Sequence, residues 1–82
     1  IRLSEQERDV IRTIVVREPT CRFEQRLDFF IGIPLPRTVE VCSFPESVVS
    51  EVPEIRGYRY VVRDEEVVVV DPDERRVVEV IR

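Results

Sequence analysis

Three valine-rich runs separated by two short turns occupy the last third of this 82-residue chain. The runs span residues 58–63, 67–70 and 75–81, and β-branched residues of this kind favour strands. Asp64-Glu65 forms the first turn, and Asp71-Pro72-Asp73-Glu74 forms the second, with its proline suited to the second position of a type I turn. Connections this short join antiparallel neighbours. The pattern therefore predicts a three-stranded antiparallel meander.

The predicted meander is apolar on both of its faces. The valines at 61–62 and 67–70 point alternately to either side, so neither face reads as purely solvent-facing. A sheet of this kind has to be covered on both sides. An N-terminal helix can cover one face, and either residues 23–42 or a second copy of the chain must cover the other. Within residues 23–42, the bulk for covering a face comes from three phenylalanines, Phe23, Phe29 and Phe30.

The third run carries one charged residue that distinguishes its faces. Glu79 indicates a wetter face, so Val78 and Val80 are the predicted core residues of this strand. Ile81 is expected to stay exposed or to contact a partner. Because one helix about 10 Å wide covers only about one face of three strands spaced about 4.8 Å apart, we expect a homodimer formed through a sheet edge or the less covered face.

The first residues predict one helix over residues 4–16. Ser4 and Glu7 match the capping box S-x-x-E, in which two helix-end donors are satisfied reciprocally. Pro19 ends the helix at or before Glu18. Apolar residues on both sides of the cap lie at helical spacing, and Glu7 interrupts their stripe. These residues are Leu3, Val10, Ile11, Ile14 and Val15.

The middle of the chain is interrupted by proline and predicts only short elements. Residues 27–31 could form a strand, and residues 38–42 alternate with period two, which predicts another. Residues 32–37 lie between these two predicted strands, and Pro34 and Pro36 exclude a central strand position for them. Pro45-Glu46-Ser47 could open a single helical turn.

Together these elements predict an α+β fold, with an N-terminal helix packed on a mostly antiparallel sheet that contains the C-terminal three-stranded β-meander. The length suits one small domain over residues 1–82, with helix 4–16 and a sheet-forming region 27–82. A domain of this size is marginally stable and often depends on a disulfide, a metal or a partner chain.

Composition argues against several classes of function. The net charge is −4, and 13 basic residues, all arginine, are interleaved with 17 acidic ones, so no basic patch for nucleic acid is predicted. No apolar run approaches the roughly 20 residues of a membrane span, so membrane insertion is not expected. The chain has no His, which argues against a zinc site and against acid–base catalysis near neutral pH. We expect no enzyme, no metal and no cofactor.

Two groups of residues remain as candidate sites. The acidic turns suggest calcium, but the two turns of a meander lie at opposite ends of the sheet, which favours ordinary solvated turns. Tyr58 and Tyr60 lie on one face of a strand with Arg59 between them, an arrangement that could stack a sugar or a base. The alternative is that these tyrosines simply pack at the rim of the sheet.

Residues 33–81 resemble the DUF1236 family, a domain of unknown function from alphaproteobacteria. The resemblance is carried by Pro53-Glu54-Ile55-Arg56-Gly57-Tyr58-Arg59-Tyr60, followed by Val70-Asp71-Pro72, and extends upstream to Ile33-Pro34. It implies a periplasmic protein made with a signal peptide. It implies no activity and no catalytic residue.

Cys21 and Cys42 are the two cysteines of the chain. In the periplasmic setting that the resemblance implies, two cysteines tend to pair, so a disulfide is expected. The alternative is two buried free thiols. The expected function is a periplasmic structural or protein-interaction module that associates with itself or with another envelope protein. The alternative function is a small-ligand-binding module for a sugar or an ion.

Overall fold

The computed structural model describes residues 1–17, 21–23 and 28–82. Within these ranges, four strands form one antiparallel sheet in the order β1-β2-β3-β4, and two α-helices and a short 3-10 helix accompany it. The α+β class and the C-terminal meander, which is β2-β3-β4, are confirmed. The elements in chain order are α1 (Glu5–Val16), β1 (Cys42–Ser43), α2 (Glu46–Glu51), the 3-10 helix (Pro53–Ile55), β2 (Arg59–Arg63), β3 (Glu66–Val70) and β4 (Val77–Ile81).

Helix α1 begins at the predicted cap. Ser4 Oγ accepts a hydrogen bond from the Glu7 backbone N–H at 3.1 Å, and Glu7 Oε1 accepts one from the Ser4 N–H at 2.9 Å. This is the complete capping box, with Ser4 at the N-cap and the helix beginning at Glu5. Pro19, the predicted stop, lies outside the described residues. Ile11 and Val15 are the buried residues of the helix.

The hairpin of β2 and β3 divides its valines between two cores. Arg63 pairs with Glu66 across the two-residue turn, and Asp64 adopts a positive φ of 53° there. On one face, residues of both strands pack with α1, α2 and the 3-10 helix; on the other they pack with residues from the middle of the chain. The first face carries Tyr60, Val62, Val67 and Val69, and the second carries Val61, Val68 and Val70.

The second face is covered by the middle of the chain itself. Phe29, Leu35 and Val39 are buried against it. Arg75 fastens this segment to the sheet, because its guanidinium donates to the Val39 carbonyl at 2.8 Å and to the Pro36 carbonyl at 3.1 Å. The prediction that residues 23–42 could cover this face is confirmed, but Phe30 was wrongly assigned to that cover, because its side chain is 60% exposed. The face supplies no reason to invoke a second copy.

A β-bulge in β4 overturns the predicted core residues of that strand. The register shifts so that Val69 pairs with Glu79 while Val70 pairs with Val77, which leaves one extra residue in β4. Val77 and Ile81 are therefore the buried ones, each 1% exposed. The prediction that Val78 and Val80 provide the core was wrong, since both are only half-buried. The expectation that Ile81 stays exposed was wrong as well.

Glu79 does not mark a solvent-facing side of β4. Its carboxylate lies 2.9 Å from the Arg8 guanidinium of α1, and its side chain is only 12% exposed. The charge is therefore accommodated under the helix by an ion pair, and the inference of a wetter face was wrong.

The middle of the chain has less strand than predicted. Residues 38–42 do not form a strand, because the Val39 N–H turns back to the Pro36 carbonyl at 3.0 Å and β1 begins only at Cys42. Residues 28–31 are not a strand either, and Leu27 lies outside the described residues. In contrast, the predicted helical turn becomes α2, six residues long, with Pro45 at the N-cap position.

Candidate functional site

The outer edge of β2 is formed by two separate segments that a disulfide joins. Cys42 and Ser43 pair with one half of β2, and Arg22 forms a parallel bridge with Val62 in the other half. The Phe23 N–H donates to the Val62 carbonyl at 2.8 Å. Cys21 is bonded to Cys42, with 6.2 Å between their Cα atoms. The disulfide therefore holds both segments on the same strand, and its role in the fold is mechanical.

Tyr60 lies in the core and cannot take part in the predicted binding surface. Its side chain is 2% exposed, and its ring centroid lies 4.7 Å from that of Phe44. A ligand could stack on this ring only if the helix-side core opened. The surface predicted for Tyr58, Arg59 and Tyr60 is thus reduced to its first two members.

Tyr58 and Arg59 are half-buried beside a small depression of about 210 Å³. Arg59 Nη1 lies 3.4 Å from the Tyr58 carbonyl, so its guanidinium curls back on its own strand. Arg56 and Glu46 also line the depression, and their ion pair spans 3.5 Å. The depression is thus lined by one ion pair, a second guanidinium and a phenol.

The acidic turns do not come together. Asp71 Oδ1 accepts hydrogen bonds from the backbone N–H groups of Asp73 and Glu74 at 2.8 and 3.0 Å, so this carboxylate closes its own turn. Among the described residues no three His, Cys, Asp or Glu side chains are grouped as a metal site would require.

The turn at residues 30–33 presents two large apolar side chains to water, and sequence reasoning missed it. Phe30 is 60% exposed and Ile31 is 65% exposed. The neighbouring Gly32 has a φ of 96°, and the Ile33 N–H closes the turn on the Phe30 carbonyl at 3.2 Å. The signal in the sequence was an aromatic and an aliphatic residue directly before a glycine, which is also typical of a strand end.

This apolar turn is fixed to the first residues of β4. The Gly32 N–H donates to the Val77 carbonyl at 2.7 Å, and the Val77 N–H donates to the Ile33 carbonyl at 2.9 Å. Arg76 adds a hydrogen bond from its guanidinium to the Gly32 carbonyl at 2.9 Å. Phe30 and Ile31 are therefore held in place at the end of the sheet.

A groove runs between α1 and the C-terminal end of α2. Two adjoining cavities of about 290 and 370 Å³ form it, and both are lined by Gln6, Val10 and Glu51. Among the described residues, the rest of the lining is apolar, acidic or hydroxylated, with no basic side chain. These lining residues are Glu7, Asp9, Thr13, Ile14 and Val52.

Glu7 and Glu54 form a hydrogen-bonded carboxyl pair beside this groove. Their side-chain hydrogen bond lowers the pKa of Glu7 and raises the pKa of Glu54. Two carboxyl groups that share one proton in this way also occur in catalytic dyads. Here Glu54 is exposed and Glu7 half-buried, and the Ser4 hydroxyl beside Glu7 is engaged in the helix cap, where it accepts the Glu7 N–H.

Comparison with known proteins places the chain in one family. The profile described as "Domain of unknown function (DUF1236)" matches residues 10–82. The chain belongs to this family. The DUF1236 match includes most of α1 and the whole sheet, and thus confirms the resemblance found at residues 33–81. Searches of curated proteins and of solved structures found no match.

Membership of the DUF1236 family identifies the domain but assigns no functional site within it. The surfaces that can carry a function must therefore be judged from their own chemistry: the Tyr58–Arg59 depression, the Phe30–Ile31 turn and the acidic groove. In the described part of the chain, no helix is long and apolar enough to cross a bilayer.

Proposed function

We propose that this DUF1236 domain is a non-catalytic protein-interaction module of the periplasm, and that it contacts its partner through the Phe30–Ile31 turn. The observation that carries this proposal is the pair of adjacent apolar side chains, 60% and 65% exposed, on a turn fixed by hydrogen bonds. Single exposed apolar residues are ordinary on protein surfaces, but a fixed pair offers a preorganised anchor for a partner's pocket.

Preorganisation matters because binding then costs little ordering of the loop. The turn is attached to Val77 by two backbone hydrogen bonds, while the adjacent Phe29 is buried at 6% exposure and anchors the chain from the inside. An aromatic and a branched aliphatic side chain together are typical of the apolar centre of an interface. The partner is either a second copy of this chain or another envelope protein.

The periplasmic location is supported by the cysteine chemistry. A disulfide that holds two segments on the edge of a small sheet persists in oxidising compartments and is rare in the cytosol. The domain lacks His altogether, so no imidazole is available as a general base. These observations support an interaction role over a catalytic one.

The test replaces the two anchors by the double substitution Phe30→Ser/Ile31→Ser. Ile1→Ser is the matched control, because Ile1 is also an exposed apolar residue, at 40%. Affinity capture from the periplasm and sedimentation equilibrium should be run on all three proteins. We expect a partner, or a mass above the 9.7 kDa monomer, that the wild type and Ile1→Ser retain and the double variant loses. Equal behaviour of all three proteins would sink the proposal.

A second candidate function is the binding of a small polar ligand at the Tyr58–Arg59 depression. The observation in its favour is the depression of about 210 Å³, in which a phenol and two guanidinium groups lie near one another. Thermal-shift measurements with simple sugars and anions, on the wild type and on Tyr58→Ala, test it. Stabilisation that requires Tyr58 supports it, and no stabilisation by any of them argues against it.

A further inference from the structure

The groove between α1 and α2 combines an apolar floor with an acidic rim. Val10, Ile14 and Val52 contribute the floor, and the first two are only half-buried although they belong to the apolar stripe of α1. The apolar stripe of α1 is thus wider than the part of the helix surface that packs on the sheet. Ile11 and Val15 face the core at 0% exposure, while Val10 and Ile14 flank them towards the groove.

The acids of the rim have no cationic partner among the described residues. Glu7, Asp9 and Glu51 line the groove, and Glu54 is hydrogen-bonded to Glu7. None of the four takes part in the ion pairs formed among the described residues, which use Glu46, Glu66, Glu74, Glu79 and Asp28 instead.

Helix α2 adds to this negative field. Its carboxyl-terminal end lies at the groove, with Glu51 as its last residue and no basic residue in its last turn. The end of a helix carries partial negative charge on its open carbonyl groups, so an acid there is unfavourable unless a cation is near. The pKa of Glu54 is raised first by its hydrogen bond to Glu7 and also by the Glu7 charge, and a cation beside the pair would relieve that charge repulsion.

We propose that the α1–α2 groove is a docking site for a cationic amphipathic segment of another protein, one that presents Lys or Arg beside aliphatic side chains. The aliphatic residues would cover the half-buried Val10 and Ile14, and the basic groups would pair with the rim acids. Long basic side chains suit such a groove because their stems pack on apolar surface while the charge reaches the rim. Charge complementarity of this kind steers association and fixes its register.

This site shares with the proposed function only the premise that the domain binds other proteins. It uses α1 and α2, whereas the apolar turn lies at the start of β4. The two proposals can therefore fail separately: loss of the Phe30 and Ile31 side chains should leave groove binding unchanged, and charge reversal in the groove should leave the turn's partner in place.

The probe is a synthetic peptide of about 14 residues, roughly four helical turns, that contains Leu and Lys arranged to give one apolar stripe. A peptide of the same composition with its leucines scattered is the reference, since it keeps the charge and loses the stripe. Binding is measured at low salt, where electrostatic contributions are least screened. Amide chemical shifts of the wild-type protein show where the peptide lies.

Asp9→Arg/Glu51→Arg is the test variant, and Asp73→Arg/Glu74→Arg is its charge-matched control on the distant second turn. We expect about a tenfold or greater loss of affinity in the first and less than about a threefold loss in the second. Shift changes in the wild type should concentrate at residues 6–14 and 51–54, and the scattered peptide should bind at least about tenfold more weakly.

Four results would overturn the proposal. Equal losses in both charge variants would show that the peptide responds only to net charge, and equal binding of the two peptides would show that the apolar floor is not used. Shift changes elsewhere on the wild type would remove the groove from consideration even if a variant failed to fold. A mass above the monomer that Asp9→Arg/Glu51→Arg abolishes would make a second copy, with its own arginines, the occupant instead.

Discussion

Breaking the bond between Cys21 and Cys42 should destabilise the domain by about 3 kcal/mol. The two residues are separated by 21 positions, and in the chain-entropy relation a loop of that size restricts the unfolded ensemble by roughly this amount. The total stability of an 82-residue domain is about 4–12 kcal/mol at about 0.05–0.15 kcal/mol per residue. The cross-link therefore supplies a quarter or more of what keeps the chain folded.

The assay compares oxidised wild type with wild type that has been unfolded, reduced and refolded under reductant. This comparison leaves both sulfur atoms in place, so it isolates the cross-link from the burial of Cys21, which is 4% exposed. Urea titrations give the difference in unfolding free energy directly. The melting temperature should fall by roughly 12–24 °C, at about 4–8 °C per kcal/mol for a domain of this size.

Hydrogen exchange adds a local readout to the same experiment. The Phe23 amide, bonded to the Val62 carbonyl, belongs to the segment that the disulfide holds on β2. Its protection should fall on reduction more than that of the β3 amides at the centre of the sheet. A stability difference below about 1 kcal/mol, with Phe23 still protected, would refute the reasoning, because packing alone would then hold the segment.

Three further predictions concern single side chains. Ser4→Ala should cost about 1 kcal/mol in urea titrations, because the Glu7 N–H loses its acceptor; a cost near zero would show that the cap does not stabilise the helix. Ile81→Ala should cost about 2–5 kcal/mol, since Ile81 is 1% exposed, and a change under about 1 kcal/mol would contradict its core position. The raised pKa of Glu54 predicts that its contribution is present below its ordinary value of 4.5 and is lost as pH rises through the raised one. The lowered pKa of Glu7 has the opposite consequence, a contribution present above 4.5 and lost as pH falls through the lowered value. Glu54→Gln, whose amide donates at every pH, should therefore gain in urea midpoint relative to wild type as pH rises above 4.5, and parallel pH profiles would argue against the pair.

The elements that sequence predicts well here are those determined by neighbours in the chain. The cap at Ser4 depends on a residue three positions away, and the meander depends on turns of two and four residues, so both follow from local chemistry. Residues 38–42 alternate as a strand would, but they do not form the predicted strand. Pro36 begins a turn that takes Val39 into the core beneath the sheet, and tertiary packing overrides the pattern.

Burial within β4 could not be derived from alternation. A strand with a strict period of two would place Val78 and Val80 on one face, but the bulge beside Val77 changes the relation between sequence position and face. The same limit applies to the candidate surface. Alternation places Tyr58 and Tyr60 on one face of a strand, but only the packing of Phe44 shows that Tyr60 is inside.

The sheet itself offers little surface for contact with another molecule. Both faces are covered within the chain, and the outer edge of β2 is occupied by Ser43 and Arg22 with their neighbours. Residues 32–35 are hydrogen-bonded to the beginning of the outer edge of β4. Further along this edge, the Val80 N–H donates to the Glu79 carboxylate at 3.2 Å. Edge-to-edge pairing of two copies would have to displace these contacts, and covering an edge in this way normally prevents it. The homodimer stays a prediction, but a sheet edge is no longer the favoured contact between its two copies. The apolar turn and the acidic groove both lie outside the sheet's own pairing, and a partner can reach either without undoing a bond of the fold.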